Sequence, residues 1–499
     1  MSNRIKLEVL QDYLWGSATL LRTKIDAGAY KQYIFPLLFF KRICDVYDEE
    51  TAAALKASGG DEEYASFDEN HTFVVPKGYH WNDVRETTTD VGLAIITAFR
   101  KIEKANGSKL TGVFGDAAWT NKNRLPDRLL KDLLEHFSSQ TLSLANCPED
   151  ELGQGYEYLV RKFADDSGHT AQEFYTNRTV VHLMTEMLQP QSGESIYDPT
   201  CGSAGMLISS IAYLKDKGEE WRNVSAYGQE INSLTSAIAK MNLFLHGVSN
   251  FEIVNDDTLA RPAFIKNGQL QTFDMVLANP PYSISQWDRA AFESDKYGRN
   301  FLGVPPQSRA DYAFIQHIIK SMDEKTGRCA ILLPHGVLFR NEEQSIREKL
   351  VKSDLLECII GIGKNLFFNS PMDACIMICR NNKPLNRRGK VLFIDAKEEV
   401  TRKNSFSYLE DRHIEKISNA YREFNNIPEF AKVVTIPEIQ KYNSKLSVAL
   451  YTSNNCPENN EELDETTLGD NYGDWIASSD ELHEELKKIL DTIGGQDNE

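Results

Sequence analysis

Apolar residues recur at three- and four-residue spacing over 7–24 and 30–47, the stripe that an amphipathic helix buries. A second helical set is expected over 91–103 and 128–137. Between the sets lies a polar, acidic stretch, 59–82, opened by Gly59-Gly60 and read as a loop or small excursion. From about 151 the period changes. Short apolar runs at 195–198, 224–229, 251–254, 275–278, 328–333, 356–362 and 374–379 read as strands, with helical stretches such as 235–245, 311–322 and 342–351 between them. This alternation predicts an α/β layer with a mostly parallel sheet covered on both faces. Beyond 400 the chain reads as helical and then irregular, with polar breaks at 457–460 and 470–473. A last amphipathic helix is expected at 480–489, capped by Ser479 or Asp480. The expected organisation is an N-terminal helical domain, 1–150, an α/β domain, 151–400, and a C-terminal helical extension with an acidic tail, 401–499.

Composition narrows the class. The 499 residues are 41% hydrophobic and 26% charged, ordinary usage for a chain with a large buried core. The most apolar short run, 34–40, is interrupted by Pro36 and closed by Lys41 and Arg42, far short of the ~20 residues that span a bilayer. The first residues lack the apolar core of a secretion signal, and the eight cysteines include no Cys-x-x-Cys pair. A reduced, cytoplasmic protein is expected, with no membrane contact, disulfide framework or metal site. Net charge is −18, but residues 452–499 hold fourteen acidic side chains and two lysines, −12, so the rest carries only −6. That tail reads as a solvated end or as a docking strip for a basic partner. A chain this acidic does not read as an autonomous, tight DNA binder, because phosphate contacts need Lys and Arg.

In a parallel sheet, ligands bind outside the carboxyl ends of the strands, so the loops after the first four strands carry the chemistry. The first ends in Asp198-Pro199-Thr200-Cys201-Gly202-Ser203-Ala204-Gly205-Met206. Its small residues let a ligand approach the backbone, and a helix follows at once, the make-up of a nucleotide cradle. No Gly-Lys-Ser/Thr closes it, which excludes a triphosphate P-loop. The second strand ends at Gln229-Glu230, where an acid accepts from ribose hydroxyls. The third ends in Asn255-Asp256-Asp257-Thr258, where Asp256 or Asp257 accepts from an adenine amino group. The fourth runs into Asn279-Pro280-Pro281-Tyr282. Two prolines must end the strand, and they aim the Asn279 side chain and the Pro280 carbonyl at one spot. An –NH₂ group supplies the two matching donors. Drawing on both hydrogens localises a nitrogen lone pair otherwise delocalised into a ring or carbonyl, and the nitrogen becomes nucleophilic. Tyr282 can stack on a planar group.

Together these loops resemble the S-adenosylmethionine-dependent amino-methyltransferases. Upstream, Gly168-His169-Thr170-Ala171-Gln172-Glu173-Phe174-Tyr175-Thr176-Asn177-Arg178 resembles the cofactor segment of the modification (HsdM) subunits of type I restriction–modification systems. Gly303-Val304-Pro305-Pro306, Ala310-Asp311-Tyr312-Ala313-Phe314 and Leu333-Pro334-His335-Gly336-Val337-Leu338-Phe339-Arg340 look like further blocks of that family, as does the helical start from Leu14-Trp15 to Arg42. The resemblance spans roughly 7–490. Two positions depart from it: Asn177 replaces the usual proline, and Ala204 stands where many relatives have glycine.

The resemblance implies a Rossmann-like methyltransferase sheet that transfers methyl from S-adenosylmethionine to the exocyclic N6 of adenine flipped out of duplex DNA. It implies that Glu173, Phe174, Tyr175 and Thr176 close over the donor's methionine end. Asp198, Thr200, Gly202, Ser203 and Gly205 line that end, Glu230 takes the ribose, and Asp257 (or else Asp256) takes the adenine. Asn279, Pro280, Pro281 and Tyr282 hold the target base. A separate specificity subunit supplies the target sequence, with a second modification subunit and a restriction subunit as further partners. The short C-terminal region, with no recognition helix, agrees with that division. Arg380, Lys383, Arg387, Arg388 and Lys390 form a locally basic stretch that either touches DNA backbone or is a solvated hairpin. Rival readings are a protein-glutamine methyltransferase, an N4-cytosine methyltransferase and a non-catalytic scaffold. Cys375, Met377 and Cys379 alternate along a strand and read as core, and His169 and His182 have no partners at ligand spacing.

Overall fold

The computed structural model describes residues 4–453 except 23, 167–175, 365, 367–372 and 404–405. Five longer helices build the N-terminal region: α1 (Leu7–Leu21), α2 (Lys31–Ala57), α3 (Val91–Asn106), α4 (Asp127–Ser138) and α5 (Glu149–Asp166). α2 outruns its apolar stripe because Glu49, Glu50 and Ala52 to Ala54 are strong helix formers. Pro36 sits inside α2 at the loss of a backbone bond, among buried Phe35, Leu37 and Leu38 whose packing holds the helix. The core is aromatic: Phe99 stacks on Phe114 with centroids 4.2 Å apart, and Tyr33 meets Trp119 edge-on at 5.3 Å. The polar stretch 59–82 is pinned rather than loose. The Thr72 N–H donates to the Glu50 carboxylate at 2.9 Å, the Val74 N–H to the Asn106 side chain at 2.8 Å, and His71 stacks on Tyr47.

The rest is built on one sheet. Its strands are β1 (Ser195–Asp198), β2 (Ser225–Glu230), β3 (Phe251–Asn255), β4 (Met275–Ala278), β5 (Arg328–Pro334), β6 (Leu356–Ile362), β7 (Ala374–Arg380), β8 (Lys390–Ala396) and β9 (Ala431–Thr435). Their order is β9-β8-β6-β7-β5-β4-β1-β2-β3, with β7 and β9 antiparallel to their neighbours and the remaining pairs parallel. All the strands expected from the sequence are present, with ends within a residue of expectation. α6 (Arg178–Leu188), α7 (Gly205–Asp216), α8 (Ser233–Leu245) and α11 (Asp411–Glu423) cover one face; α9 (Asp311–Lys320) and α10 (Gln344–Lys352) cover the other. Side chains alternate between the two cores: Ile376 and Ile378 on one face, Cys375, Met377 and Cys379 on the other.

β8 and β9 lie outside the strands expected from the sequence, β8 because charged neighbours mask it. The structure spends those charges internally. Glu357, fully buried, accepts from Arg380 at 3.1 Å, Arg387 at 3.2 Å and the Tyr421 hydroxyl at 2.5 Å. Lys383 donates to Asp354 at 2.6 Å and to two backbone carbonyls. Neither of the two readings of the basic stretch describes these three residues: they close an internal network beneath the sheet end. The helix expected at 480–489 lies outside the described residues.

The helical region and the sheet share hydrophobic core through α8, whose Ile238, Met241 and Leu245 pack into the helical cluster, while its Ala239 and Leu243 face the sheet. α5 makes the joint close. A Cβ at Gly153 would stand 2.6 Å from the His246 ring, and one at Gly155 would meet Leu10 and Leu14 of α1 at 2.9 Å. A tighter constraint lies in α3, where a Cβ at Gly92 would stand 2.0 Å from the Trp119 carbonyl oxygen. Backbone cannot yield as a side chain does, so Gly92→Ala is expected to destabilise the protein by about 2 kcal/mol. Urea unfolding monitored by circular dichroism checks this; an unchanged midpoint refutes the close approach.

Candidate active site

Two loops from adjacent parallel strands meet at the carboxyl edge of the sheet. In the loop after β1, Gly202 and Ala204 adopt left-handed backbone, with φ of 52° and 65°. That conformation explains a glycine at the first position and makes the Ala204 departure a strained but small substitute. The loop is tied down from below. The Cys201 N–H donates to the Gln229 carbonyl at 3.0 Å, the Gly202 N–H to Glu230 at 3.1 Å, and the Asn242 amide to the Ser203 carbonyl at 2.8 Å. α7 starts at Gly205, where a Cβ would stand 2.1 Å from the Arg178 guanidinium. Arg178 opens α6 and pairs with Glu157 of α5 at 2.6 Å, which brings the helical region to the edge of the site.

Asp198 ends β1 with 2% exposure. Burial pushes its carboxyl up to about 8, and nearby Glu230 adds to the rise, while the Thr200 N–H, donating at 3.0 Å, opposes it. The Thr200 side chain also bears on this carboxyl and opposes the rise. A polar ligand with hydrogen-bonding groups or positive charge would satisfy the buried carboxyl, which fits the ammonium and hydroxyl groups of S-adenosylmethionine.

After β4, Asn279 projects toward the same place. Its amide nitrogen donates to the Thr176 hydroxyl at 3.0 Å, and its oxygen accepts from the Tyr282 hydroxyl at 2.8 Å. Burial pushes the Tyr282 phenol well above its ordinary range, so it stays protonated and donates. Pro280 is buried, Pro281 is exposed and Tyr282 is half-buried.

The structure thus gathers Thr176, Asp198, Thr200, Gly202, Ser203, Gly205 and Asn279 around one cleft. Glu230 sits beneath it, its carboxylate holding the Gly202 and Asn232 N–H groups. Asp256 is committed to Arg261 at 2.5 Å, whereas Asp257 accepts the Leu259 and Ala260 N–H groups. Glu173, Phe174 and Tyr175 lie outside the described residues. Arg178, Val181, Cys201 and Met206 also line the cleft and were not singled out by the sequence. Cys201 and Met206 stand inside the small-residue loop 198–206 and Arg178 closes the segment that contains Thr176, whereas Val181 carried no signal.

Comparison with known proteins gives consistent matches. The N-6 DNA Methylase family model matches residues 148–460, and the HsdM N-terminal domain model matches 10–137. The type I restriction enzyme MjaVIII methylase subunit of Methanocaldococcus jannaschii is 31% identical, over 99% of this chain and 84% of its own length. The HindI methylase subunit of Haemophilus influenzae is 30% identical, over 81% and 93%. The crystal structure of a type I restriction–modification methyltransferase subunit from Streptococcus thermophilus superposes with a TM-score of 0.78 at 29% identity, covering 90% of this chain and all of that one.

The buried Asp198 carboxyl gives the cleft a measurable signature. Folded, it keeps its proton to about 8; unfolded, it loses it near 3.8. Between these values the folded state binds more protons, so stability falls as pH rises through the window and levels above it. Asp198→Asn removes this dependence. The unfolding free energy of the wild type minus that of the variant is expected to fall by on the order of 1 kcal/mol per pH unit between about pH 5 and pH 7. Denaturant unfolding across pH checks this; a flat difference refutes the buried neutral carboxyl.

Proposed function

The chain belongs to the methylase subunits of type I restriction enzymes, within the N-6 DNA methylases, and on that premise we propose how its cleft transfers a methyl group to the exocyclic nitrogen of adenine in DNA. The observation that carries this reading is the Asn279 side chain, held at the mouth of the cleft between Thr176 and Tyr282. Its amide oxygen and the Pro280 carbonyl are the two acceptors for the –NH₂ of the target base. The Tyr282 hydroxyl occupies the first acceptor in this structure and yields it when the base arrives. Asn279 and Pro280 then draw on both hydrogens, localise the lone pair and relieve the positive charge that develops on nitrogen.

Bound S-adenosylmethionine supplies a methyl already activated on a sulfonium, so no metal is required. Thr176, Asp198, Thr200 and the backbone from Gly202 to Gly205 hold its methionine end, Glu230 its ribose and Asp257 its adenine. Asp257 is preferred over Asp256 as the closer match to the adenine-binding acid of the family. The parts of the site on β1 and β4 align nitrogen and methyl, and that alignment is the main catalytic contribution. Glu173, Phe174 and Tyr175 complete the closure over the donor. The target adenine leaves the duplex stack at a cost of a few kcal/mol, which stacking on Tyr282 offsets by about 1–3 kcal/mol.

Target recognition is assigned to a separate specificity subunit, flanked by two copies of this chain and joined by a restriction subunit in the cytoplasm of a prokaryotic cell. The supporting observations are the acidic charge and the commitment of Arg380, Lys383 and Arg387 to internal carboxylates, which withholds them from phosphates. Among the described residues no helix is long and apolar enough to cross a membrane.

Two measurements test the reading. Asn279→Ala is expected to lower single-turnover methyl transfer by at least about 10²-fold while donor binding, read by calorimetric titration, stays within a few-fold; near-wild-type transfer overturns the assignment. Mapping modified bases in cells that express the chain with and without its specificity subunit should show N6-methyladenine at one target only when both are present. Methylation by this chain alone overturns the partner requirement, and no modified base in either culture overturns the transfer reading.

A further inference from the structure

Two blocks of the sequence, Ala310 to Phe314 and Leu333 to Arg340, are distant from the cleft residues in the chain and have no role so far. The structure places both behind the loop that carries Asn279 to Tyr282. Ser283, the next residue, is left-handed, with φ of 50°, a backbone region that a non-glycine residue enters only with outside support. That support is Asp311, 1% exposed at the start of α9. One of its carboxylate oxygens accepts the Ser283 N–H at 2.7 Å, and the other accepts Arg340 at 2.8 Å. The Ser283 hydroxyl lies 3.4 Å from both partners, donating to Asp311 and accepting from Arg340. A backbone bond from the Ala310 N–H to the Ile284 carbonyl, 3.1 Å, runs beside them.

Arg340 is itself fixed. Its carbonyl accepts from the buried Arg347 at 3.0 Å, and its guanidinium lies 3.6 Å from the buried Glu343. It also lies across the backbone of Gly336, where a Cβ would stand 2.5 Å from Nε. This close approach gives a physical reason for glycine within the second block. Tyr312 ties the blocks together, donating from its hydroxyl to the Val337 carbonyl at 2.9 Å.

We propose that Asp311 and Arg340 are positioning residues for methyl transfer: as an ion pair built on a buried carboxylate they hold Ser283 in its left-handed conformation and so fix the direction in which Asn279, Pro280 and Tyr282 face the target base. Neither residue touches the base or the donor. The inference rests on the reading of Asn279 as the acceptor for the target amine.

The test uses the complex with its specificity subunit, S-adenosylmethionine and a duplex bearing the mapped target. Single-turnover rate constants at saturating donor are divided by donor-binding stoichiometry, so that loss of folded protein does not register. Asp311→Ala is expected to lower this rate about 10²-fold, the scale of a misplacement near 1 Å, with donor affinity within about threefold. Asp311→Asn keeps an oxygen for the Ser283 N–H and is expected to recover at least about tenfold of that loss. Arg340→Gln, which leaves Asp311 in place, should fall about tenfold and decides the matter if Asp311→Ala does not fold. Rates within threefold of wild type for Asp311→Ala, or for Arg340→Gln where that variant decides, overturn the proposal, as does a loss carried by donor affinity. Equal losses for Asp311→Ala and Asp311→Asn also overturn it. Asn279→Ala runs alongside: if it still transfers, the underlying reading fails; if it is inactive while Asp311→Ala is not, only the positioning role fails.

Discussion

Parallel pairing of β1 with β4 is the constraint on which the site depends. The two strands are remote in the chain, yet Ile196 lies opposite Met275 and Tyr197 opposite Val276. Parallel strands end at the same edge, so Asp198 and Asn279 emerge side by side into one cleft. The pairing is held from outside the ladder as well: Asp274, just before β4, accepts both the backbone N–H and the hydroxyl of Ser195, at 2.9 and 2.7 Å. A slip of one residue would turn every side chain of β4 to the other face and send Asn279 away from the loop after β1.

Around this edge the protein buries polar groups and satisfies nearly all of them from its own chain. Glu230 supports the loop after β1, and Asp311 and Arg340 support the loop after β4. In the cleft, burial holds the Asp198 carboxyl protonated to about 8. A carboxyl kept out of water in a cleft carries a desolvation cost, and such a group marks where a ligand belongs. The helical region reaches the same place through the Glu157–Arg178 pair and the core it shares with α8.

The strands around the cleft were legible because each is a short apolar run closed by glycine, proline or acid, and both faces of the sheet are covered. Asn279-Pro280-Pro281-Tyr282 was legible because two prolines after a strand leave few alternatives for the backbone. β8 was not, since its basic neighbours look like surface until Glu357 and Asp354 are seen to receive them. Arg178 was hidden for a related reason: only the fold shows that its guanidinium lies against Gly205. The roles of Asp311 and Arg340 were equally invisible, because the support of a left-handed serine is a matter of φ angles and distances.

Local pattern alone determined the element types around the cleft, the α/β class and the residue types at the ends of β1, β2 and β4, because these follow from backbone sterics and burial period within a few residues. Tertiary structure decided which strands are neighbours, which acid at 256–257 is spent on Arg261, and which buried charges are paired. Those outcomes rest on contacts between segments far apart in the chain, whose energies depend on burial and geometry that no local window contains.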